Sequence, residues 1–247
     1  PIRDIPNDFN TFKKKVAKES FVRECIADLQ QVSIPPHLEK TDFPFEIKYN
    51  LSSYGESAAQ NALHSVLSHP ENRQDLYTTL SPFLALGIVS AAQVYHFFTK
   101  YESVQNKKKI AHIMDGLFWR DYYRFMLKKF PNCYFKDKNE TPADSTIVDS
   151  FVQGNTDDAT ANMLIHKLNE DGVLARSERE YLALYFVYEL NQPWLLGSAY
   201  FEQQLIDYAP STIYGFWAHV SGNGTSAKNN RSKENWLRIK KTKKQEA

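Results

Sequence analysis

The longest periodic segment of the chain, residues 106–130, constrains its fold more than any other feature. Apolar side chains recur there at spacings of three and four, which is the period of an amphipathic helix. The residues that carry this pattern are Trp119, Tyr122, Tyr123, Met126 and Phe130. Alternating patterns typical of strands are almost absent from the rest of the chain. The sequence therefore predicts an all-α, multi-helical fold.

Shorter helices are predicted on both sides of this segment. Asp8 is a suitable N-cap for the first of them. The Ser81-Pro82 pair is typical of a helix start, with Pro in the first helical position, and that helix is expected to stop at Gly87. Residues 131–149 are predicted to form a polar loop. The predicted helices cover residues 8–31, 57–67, 83–86, 90–98, 106–130, 159–168, 176–190, 193–206 and 211–220.

Composition narrows the class of protein. The chain has 247 residues, of which 42% are hydrophobic, and no apolar run approaches the roughly 20 residues of a membrane span. Cys25 and Cys133 are the only cysteines, so neither a disulfide framework nor a metal site is predicted. Two isolated thiols favour a reducing, intracellular (cytoplasmic) compartment. A chain that opens at Pro1 without Met is expected to be an excised or processed fragment.

The net charge of +1 is unevenly distributed along the chain. The segment from Lys228 to the end holds eight Lys or Arg and two acidic residues, so the rest of the chain is net negative. Electrostatic attraction to nucleic acid must then come from this basic segment or from a local patch. We predict a linker segment with one helix at 1–44, a helical domain at 45–227 and a mobile basic tail at 228–247.

Two motifs could bind anions. Thr78, Thr79 and Ser81 would surround a helix N-terminus, which attracts phosphate through its free N–H groups; the alternative is an ordinary capped helix start. Arg120 follows Trp119 directly, and Arg binds phosphate in a bidentate manner. The alternative for this pair is a core Trp beside a solvated Arg.

Together, several segments resemble the FAD-binding domain of the photolyase/cryptochrome family, and most closely its DASH-type cryptochromes. The resemblance is carried by residues 117–124 and 77–87 and by Trp194, Asp207 and Trp217. It covers about residues 5–238 and implies a helical cup that holds FAD. The α/β antenna domain that precedes this domain in the family is not in this sequence.

The resemblance also implies roles for particular residues. Trp119 and Glu180 match positions that face the DNA substrate. Trp217 and Trp194 match two of the three Trp residues that carry an electron to the excited flavin, although two Trp in helices are otherwise ordinary core residues. The positions that match cofactor contacts are Arg73, Thr78, Thr79, Leu80, Ser81, Arg120, Arg179, Asp207 and Ile213.

An ion pair between Arg179 and Asp207 is implied in the same way. The two residues lie 28 positions apart, so spacing alone does not establish a contact, and two surface charges are the alternative. In the family these positions pair against the flavin ring. Arg73 and Glu189 also fall on positions that the family pairs.

Five positions depart from the family pattern. Gly116 stands where the repair enzymes carry a Glu that bonds to the lesion, and Glu180 replaces a neutral lesion contact. Arg176 stands at a helix start that usually carries Asn. Ala209 replaces a second acid, and Ile213 replaces a polar residue near flavin N5, where it cannot exchange a hydrogen bond. These departures disfavour repair of a pyrimidine dimer.

The sequence thus favours a flavoprotein domain that carries out blue-light-driven electron transfer in DNA repair or light sensing. An activity like that of a deoxyribodipyrimidine photolyase remains open. DNA is the predicted partner, bound either as a damaged dimer or nonspecifically through the basic tail. The alternative is a homologue that has lost its cofactor and serves as a nucleic-acid or protein interaction module.

Overall fold

The computed structural model describes residues 2–25, 37, 55–68, 76–225 and 231–246. These residues form eleven α-helices and no β-strand, which confirms the all-α prediction. A 3-10 turn (Ile2–Asp4) precedes the first helix, and a π-helical turn (Tyr185–Glu189) follows the eighth. The helices are α1 (Phe9–Glu19), α2 (Glu56–Ser68), α3 (Leu76–Ala85), α4 (Ala91–Lys100), α5 (Lys107–Lys129), α6 (Ser145–Val152), α7 (Ala159–Asp171), α8 (Arg176–Leu184), α9 (Trp194–Gln204), α10 (Pro210–Val220) and α11 (Ser232–Glu246).

The apolar side chains form two separate cores. The smaller core lies among α2, α3, α4 and the first half of α5, where Leu63, Leu80 and Phe98 are fully buried. The larger core takes in α1, the second half of α5 and all helices from α6 to α11, and is centred on aromatic residues such as Phe186 and Trp217. The two cores together position the helices that line the site.

Helix α5 is the wall that both cores share. Its 23 residues extend about 35 Å at 1.5 Å per residue. Ile110, Ile113 and Leu117 belong to the smaller core, whereas Tyr122 and Met126 belong to the larger one. A helix with partners on two sides buries more than one face, which explains the high apolar content of the segment predicted first.

Two glycines allow close helix packing around α10, which packs mainly on α5 and α9. A Cβ atom at Gly215 of α10 would overlap the Tyr123 ring of α5. A Cβ atom at Gly197 of α9 would overlap the indole of Trp217 on α10. Both interfaces therefore depend on the absence of a side chain.

Helix α1 is shorter than predicted. Asp8 caps it as expected, because its Oδ1 accepts from the Thr11 N–H at 2.9 Å. The helix ends at Glu19, and Ser20 is extended. The predicted helix ran on to residue 31, but the apolar repeat stops at Val16, and Phe21 is 88% exposed, so no buried face sustains the helix further. The part of that prediction beyond residue 25 lies outside the described residues.

The prediction that Ser81 opens a helix is wrong. Ser81 and Pro82 lie inside α3, which is helical from Leu76. Because Pro82 has no N–H, it leaves the carbonyl of Thr78, four residues earlier, without its usual helical donor. The Ser81 hydroxyl lies 3.0 Å from that carbonyl and donates to it. A side chain thus compensates for the proline, and the helix continues.

The polar loop is shorter than predicted, since α6 begins at Ser145. Asp144 is its N-cap, with a carboxylate that accepts from the N–H groups of Thr146 and Ile147 at 2.9 and 3.3 Å. The Asp144 N–H in turn donates to the buried Gln192 side chain at 2.9 Å. These bonds fix a short helix in a stretch whose composition resembles a loop.

Within the segment predicted as a mobile tail, the described residues form the packed helix α11. Trp236 of α11 is 3% exposed and belongs to the larger core. Its indole N–H donates to Glu189 at 3.0 Å, and Lys240 binds the same carboxylate at 2.8 Å. Glu189 lies at the end of the π-helical turn that follows α8. One buried aromatic residue and one acidic residue therefore hold α11 against the domain.

Within the described ranges, none of the helices is both long and apolar enough to cross a bilayer.

Candidate functional site

A cleft opens where α3, α5, α8 and α10 meet. It contains about 960 Å³ of empty space, part of it open to solvent. Helix α3 comes from the smaller core, α8 and α10 come from the larger one, and α5 belongs to both. The cleft is therefore the seam between the two cores.

Two helices form one side of the cleft. On α3, Thr78 and Ser81 lie one turn apart and both face it. On α5, the lining residues follow the three-four spacing of one helix face. These α5 residues are His112, Gly116, Trp119, Arg120 and Tyr123.

The opposite side is formed by α8 and by the start of α10. Arg176 and Arg179 lie one turn apart on α8. Glu178 fixes the start of this helix, because its carboxylate accepts from the Ala175 N–H at 2.6 Å and pairs with Lys167 at 2.7 Å. The residues supplied by α10 and the turn before it are Asp207, Ala209, Thr212, Ile213 and Phe216.

The ion pair implied by the resemblance is present in the cleft. Arg179 Nη2 lies 2.8 Å from Asp207 Oδ2, and Arg179 Nε donates to the carbonyl of Leu174 at 2.8 Å. The Ser81 hydroxyl lies 2.5 Å from the same Asp207 oxygen, so its single proton is shared between this carboxylate and the Thr78 carbonyl. Two helices distant in sequence, α3 and α8, therefore converge on one carboxylate in the turn before α10.

Asp207 is deeply buried but only half satisfied. Its side chain is 4% exposed, and both of its described bonds go to Oδ2. Oδ1 is buried and has no hydrogen-bond partner among the described residues. A buried acceptor without a donor costs about 1–3 kcal/mol, so this oxygen is suited to a ligand that brings an N–H or O–H donor.

The charge of the lining is also unbalanced. Arg120, Arg176 and Arg179 face the cleft, and Asp207 is the one carboxylate among the lining residues. Arg120 also contacts Asp121 at 3.3 Å, outside the lining. An anionic ligand fits this excess of guanidinium groups. FAD carries a diphosphate, ribityl hydroxyls and a ring N–H, so the cleft fits this cofactor in both charge and donor chemistry.

The remaining predicted cofactor contacts divide into three groups. Ile213 is buried and lines the cleft, as expected. Thr79 is exposed and Leu80 is buried in the smaller core, and neither is among the lining residues. Both point away because a helix presents only every third or fourth residue to one side. Arg73 lies outside the described residues.

Of the two positions predicted to face DNA, only Trp119 lines the cleft. Its ring is stacked on Phe9 of α1, with centroids 3.6 Å apart and planes at 6°. Glu180 is partly buried and is not among the lining residues. It lies one turn beyond Arg176 on α8.

Trp194 and Trp217 lie behind the cleft wall. Both are fully buried in the larger core, and neither lines the cleft. Trp217 is one turn after Ile213 on α10, and its ring contacts Phe186 and Phe201 edge to face. Gly197, which packs on that ring, lies one turn after Trp194 on α9. The indole N–H groups of both Trp residues have no partner among the described residues.

Several lining residues did not emerge from the sequence as site residues. Thr212 and Phe216 share a face of α10 with Ile213, and His112 and Tyr123 share a face of α5 with Trp119. The signal that identifies them is helical spacing: one step of three or four residues from a predicted contact reaches Tyr123 and Phe216, and a second such step reaches His112 and Thr212.

Comparisons with known proteins agree with this geometry. Residues 113–246 match the family model described as the FAD binding domain of DNA photolyase. Cryptochrome DASH from Idiomarina loihiensis is 30% identical over 254 residues, covering 93% of this chain and 56% of the relative. Cryptochrome DASH from Danio rerio is 27% identical over 262 residues, covering 93% of this chain and 50% of the relative.

Solved structures share the fold. The Synechocystis sp. cryptochrome aligns with a TM-score of 0.74 at 24% identity, covering 92% of this chain and 54% of that one. A bacterial class III photolyase from Agrobacterium tumefaciens aligns with a TM-score of 0.75 at 19% identity, covering 90% and 52%. At these identities the structures show the fold alone.

An α-helical domain with a cationic cleft between two cores is thus matched by sequence and by fold. The chain belongs to the photolyase/cryptochrome family, through its FAD-binding domain, and it resembles the DASH-type cryptochromes. The predicted family is confirmed, and FAD is the cofactor of that family's domain. The chain spans about half the length of the relatives it matches.

Proposed function

We propose that this chain binds FAD in the cleft between α3, α5, α8 and α10 and supports blue-light-driven flavin electron transfer. The observation that carries the proposal is Asp207. It is held by Arg179 and Ser81 through one oxygen, while the other is buried and unpartnered among the described residues. A cleft that keeps such an acceptor within a cationic lining is built for a polar, anionic ligand.

Each lining residue has a distinct role in this proposal. Arg179 fixes the position of Asp207, and the Ser81 hydroxyl shares its proton between the same oxygen and the Thr78 carbonyl. Oδ1 of Asp207 accepts from an N–H or O–H donor of the cofactor. Arg120 and Arg176 compensate the negative charge of the cofactor's diphosphate. When bound, FAD supplies the absorption of blue light and one-electron chemistry.

Trp217 and Trp194 are proposed to carry electrons to the cleft. Trp217 is one turn behind the lining residue Ile213, and α9 brings Trp194 to the same side of α10 through Gly197. Both rings are buried in the larger core, so neither is in contact with bulk water. Their position supports a path from the interior of the larger core to the cleft wall.

Light sensing is favoured over DNA repair. Gly116 faces the cleft with no side chain that could hydrogen-bond a damaged base. Ile213 is buried in the lining and cannot exchange a hydrogen bond with a flavin ring. The part of the cleft lined by Gly116 and Ile213 is thus less polar than we expect for a domain that repairs DNA by the family's mechanism.

DNA is the proposed partner, bound nonspecifically through α11. Lys233, Arg238 and Lys241 are exposed on this helix, and cations of this kind bind the phosphate backbone in a salt-dependent manner. The two free thiols, Cys25 and Cys133, support our placement of the protein in a reducing, intracellular compartment.

Flavin content tests the central proposal. Purified protein incubated with FAD is expected to be yellow and to release flavin when denatured. Asp207→Ala is expected to lose the bound flavin, because the flavin ring and Arg179 lose the carboxylate that they share. Asp171→Ala, at the exposed end of α7, is the matched control and should keep it. Colourless wild-type protein that refuses added FAD would instead support the cofactor-free interaction module.

A second experiment separates sensing from repair. Flavin-loaded protein is illuminated with an oligonucleotide that contains a thymine dimer, and the remaining dimers are counted by chromatography. We expect no loss of dimers beyond that in a protein-free sample. Light-dependent loss would establish photolyase activity.

A further inference from the structure

Trp119 is the largest aromatic side chain in the cleft lining. A nucleobase that leaves a DNA stack recovers the lost stacking energy when it lies on such a ring. Stacking requires a free face, and a planar ring has only two. Whether the cleft accepts a base therefore depends on what covers Trp119.

The face of Trp119 that points away from the cleft is covered by Phe9. The two rings are parallel within 6° and 3.6 Å apart at their centroids, yet Phe9 is not among the residues that line the cleft. Edge contacts complete this side: Tyr122 meets both rings at 82–88°. Trp119 is thus backed by aromatic side chains.

The cleft side of Trp119 is covered by Arg176. This residue lines the cleft, and its guanidinium carbon lies 5.7 Å from the centroid of the indole. His219 meets the same ring at its edge, with centroids 6.0 Å apart. The nearby Arg176 charge adds to the effect of burial in lowering the pKa of His219, which places the guanidinium beside both rings.

The two covers differ in exposure. Phe9 is held in place, because the Asn7 carbonyl accepts from the Tyr122 hydroxyl at 2.6 Å, the Asn7 side-chain Oδ1 accepts from Lys129 at 2.9 Å, and Asp8 caps α1. Arg176 is exposed and is the first residue of α8. Tyr123 also lies against the indole, with centroids 5.4 Å apart and planes at 32°, but it is buried in α5. Arg176 is thus the exposed residue among those that contact Trp119, and a ligand entering the cleft from solvent meets its side chain first.

We propose that Arg176 is a specificity-determining residue: its guanidinium covers the cleft side of Trp119 and disfavours the stacking of an extrahelical nucleobase there. The inference rests on the proposed function, in which the cleft binds flavin and the domain contacts DNA. At an exposed site, a cation over an indole favours the covered arrangement of Trp119 over the uncovered one by a factor of about two to five in the equilibrium constant. A base that displaces Arg176 loses this factor in affinity. The cleft then admits the cofactor and selects against a flipped base.

Binding of two oligonucleotides tests this proposal. The probes are fluorescein-labelled single strands of one sequence, with and without a single thymine dimer, and affinity is measured by anisotropy. Wild-type protein is expected to bind both equally. Arg176→Gln is expected to prefer the dimer by about two- to fivefold, whereas Arg176→Lys, which keeps a cation, should show a smaller preference. Loss of the Arg176 charge lowers the affinity for both probes equally, so the readout is the ratio of the two affinities.

The outcomes that overturn the proposal are distinct from those that overturn flavin binding. A wild-type preference for the dimer, an unchanged ratio in a folded Arg176→Gln protein, or no binding of either probe at low salt would each refute the role of Arg176. Flavin content is measured by absorbance on the same samples. A colourless protein that gains the preference would refute the proposed cofactor and support Arg176 as the cover.

Discussion

At Gly197 the backbone of α9 lies directly against the indole of Trp217, and a Cβ atom there would overlap the ring. Alanine gains about 1 kcal/mol over glycine in a helix interior, but overpacking a core costs about 1–3 kcal/mol. We therefore expect Gly197→Ala to lower the free energy of unfolding, as measured by urea denaturation. Gly55→Ala is the control, since nothing lies within 4 Å of a Cβ at Gly55; equal effects at both sites would contradict this packing.

The ring of His219 gives the domain a pH dependence. Burial, and then the charge of Arg176, lower its pKa below 6.5. The unfolded chain consequently binds a proton more readily than the folded one, and stability falls as pH drops below about 6.5 towards the folded pKa. Urea unfolding at pH 7.5 and 5.5 should show this loss, and His219→Gln should reduce it. Glu189, whose pKa is lowered mainly by its bond with Lys240, acts only at more acidic pH.

The proposed electron path predicts a residue-specific effect on photoreduction. In flavin-loaded protein with an external reductant, Trp217→Phe is expected to slow the light-driven bleaching of flavin absorbance, because the readily oxidised indole near the cleft is lost. Trp236→Phe is the matched control, since Trp236 is equally buried but packs against Tyr181 and Tyr185. Equal rates in both variants would show that electrons reach the flavin by another route.

Single positions show where the sequence is and is not informative. Spacing could not pair Arg179 with Asp207, and only the family pattern implied the 2.8 Å contact that the structure contains. The Ser81-Pro82 pair predicts a helix start because Pro favours the first helical position. Sequence alone does not reveal that a hydroxyl compensates for Pro82 within a helix, since this depends on a bond to Thr78.

At the scale of elements, α11 is held against the domain mainly by the buried side chain of Trp236. Replacing a buried Trp by Ala costs about 3–5 kcal/mol, more than an exposed basic helix gains by itself. Trp236→Ala is thus expected to release α11 from the domain, and limited proteolysis should then cleave within residues 231–246. Leu237→Ala, at a position 51% exposed, is the control. Resistance of both proteins to cleavage would show that α11 does not depend on Trp236.

The helices themselves were predictable to different degrees. The period of α5 and the capping residue of α1 are local signals, and they predict α5 in full and the start of α1. The basic composition of residues 228–247 suggested solvation, and the burial of Trp236 could not be read from it. Its partner Glu189 lies 47 residues earlier, at the end of a π-helical turn that no local pattern announces.

At the scale of the molecule, the cleft connects the two cores. Its lining comes from α3 in the smaller core and from α8 and α10 in the larger one. Ligand that binds only the folded protein adds about 2.7 kcal/mol at a hundredfold excess over Kd. We expect FAD to slow amide hydrogen exchange in α3 and in α8 together. Protection confined to one of them would place the ligand within a single core.

Helix α5 also determines where this chain can be divided. A cut within residues 107–129 would interrupt the wall on which both sets of apolar side chains close, so neither piece would keep a complete interior. The turns at residues 101–106 and 131–144 leave every helix whole. Fragments separated by a cut at residues 101–106 are the ones that should reassemble when mixed, because that turn is exposed, whereas the second turn contains Tyr134, which is buried in the larger core.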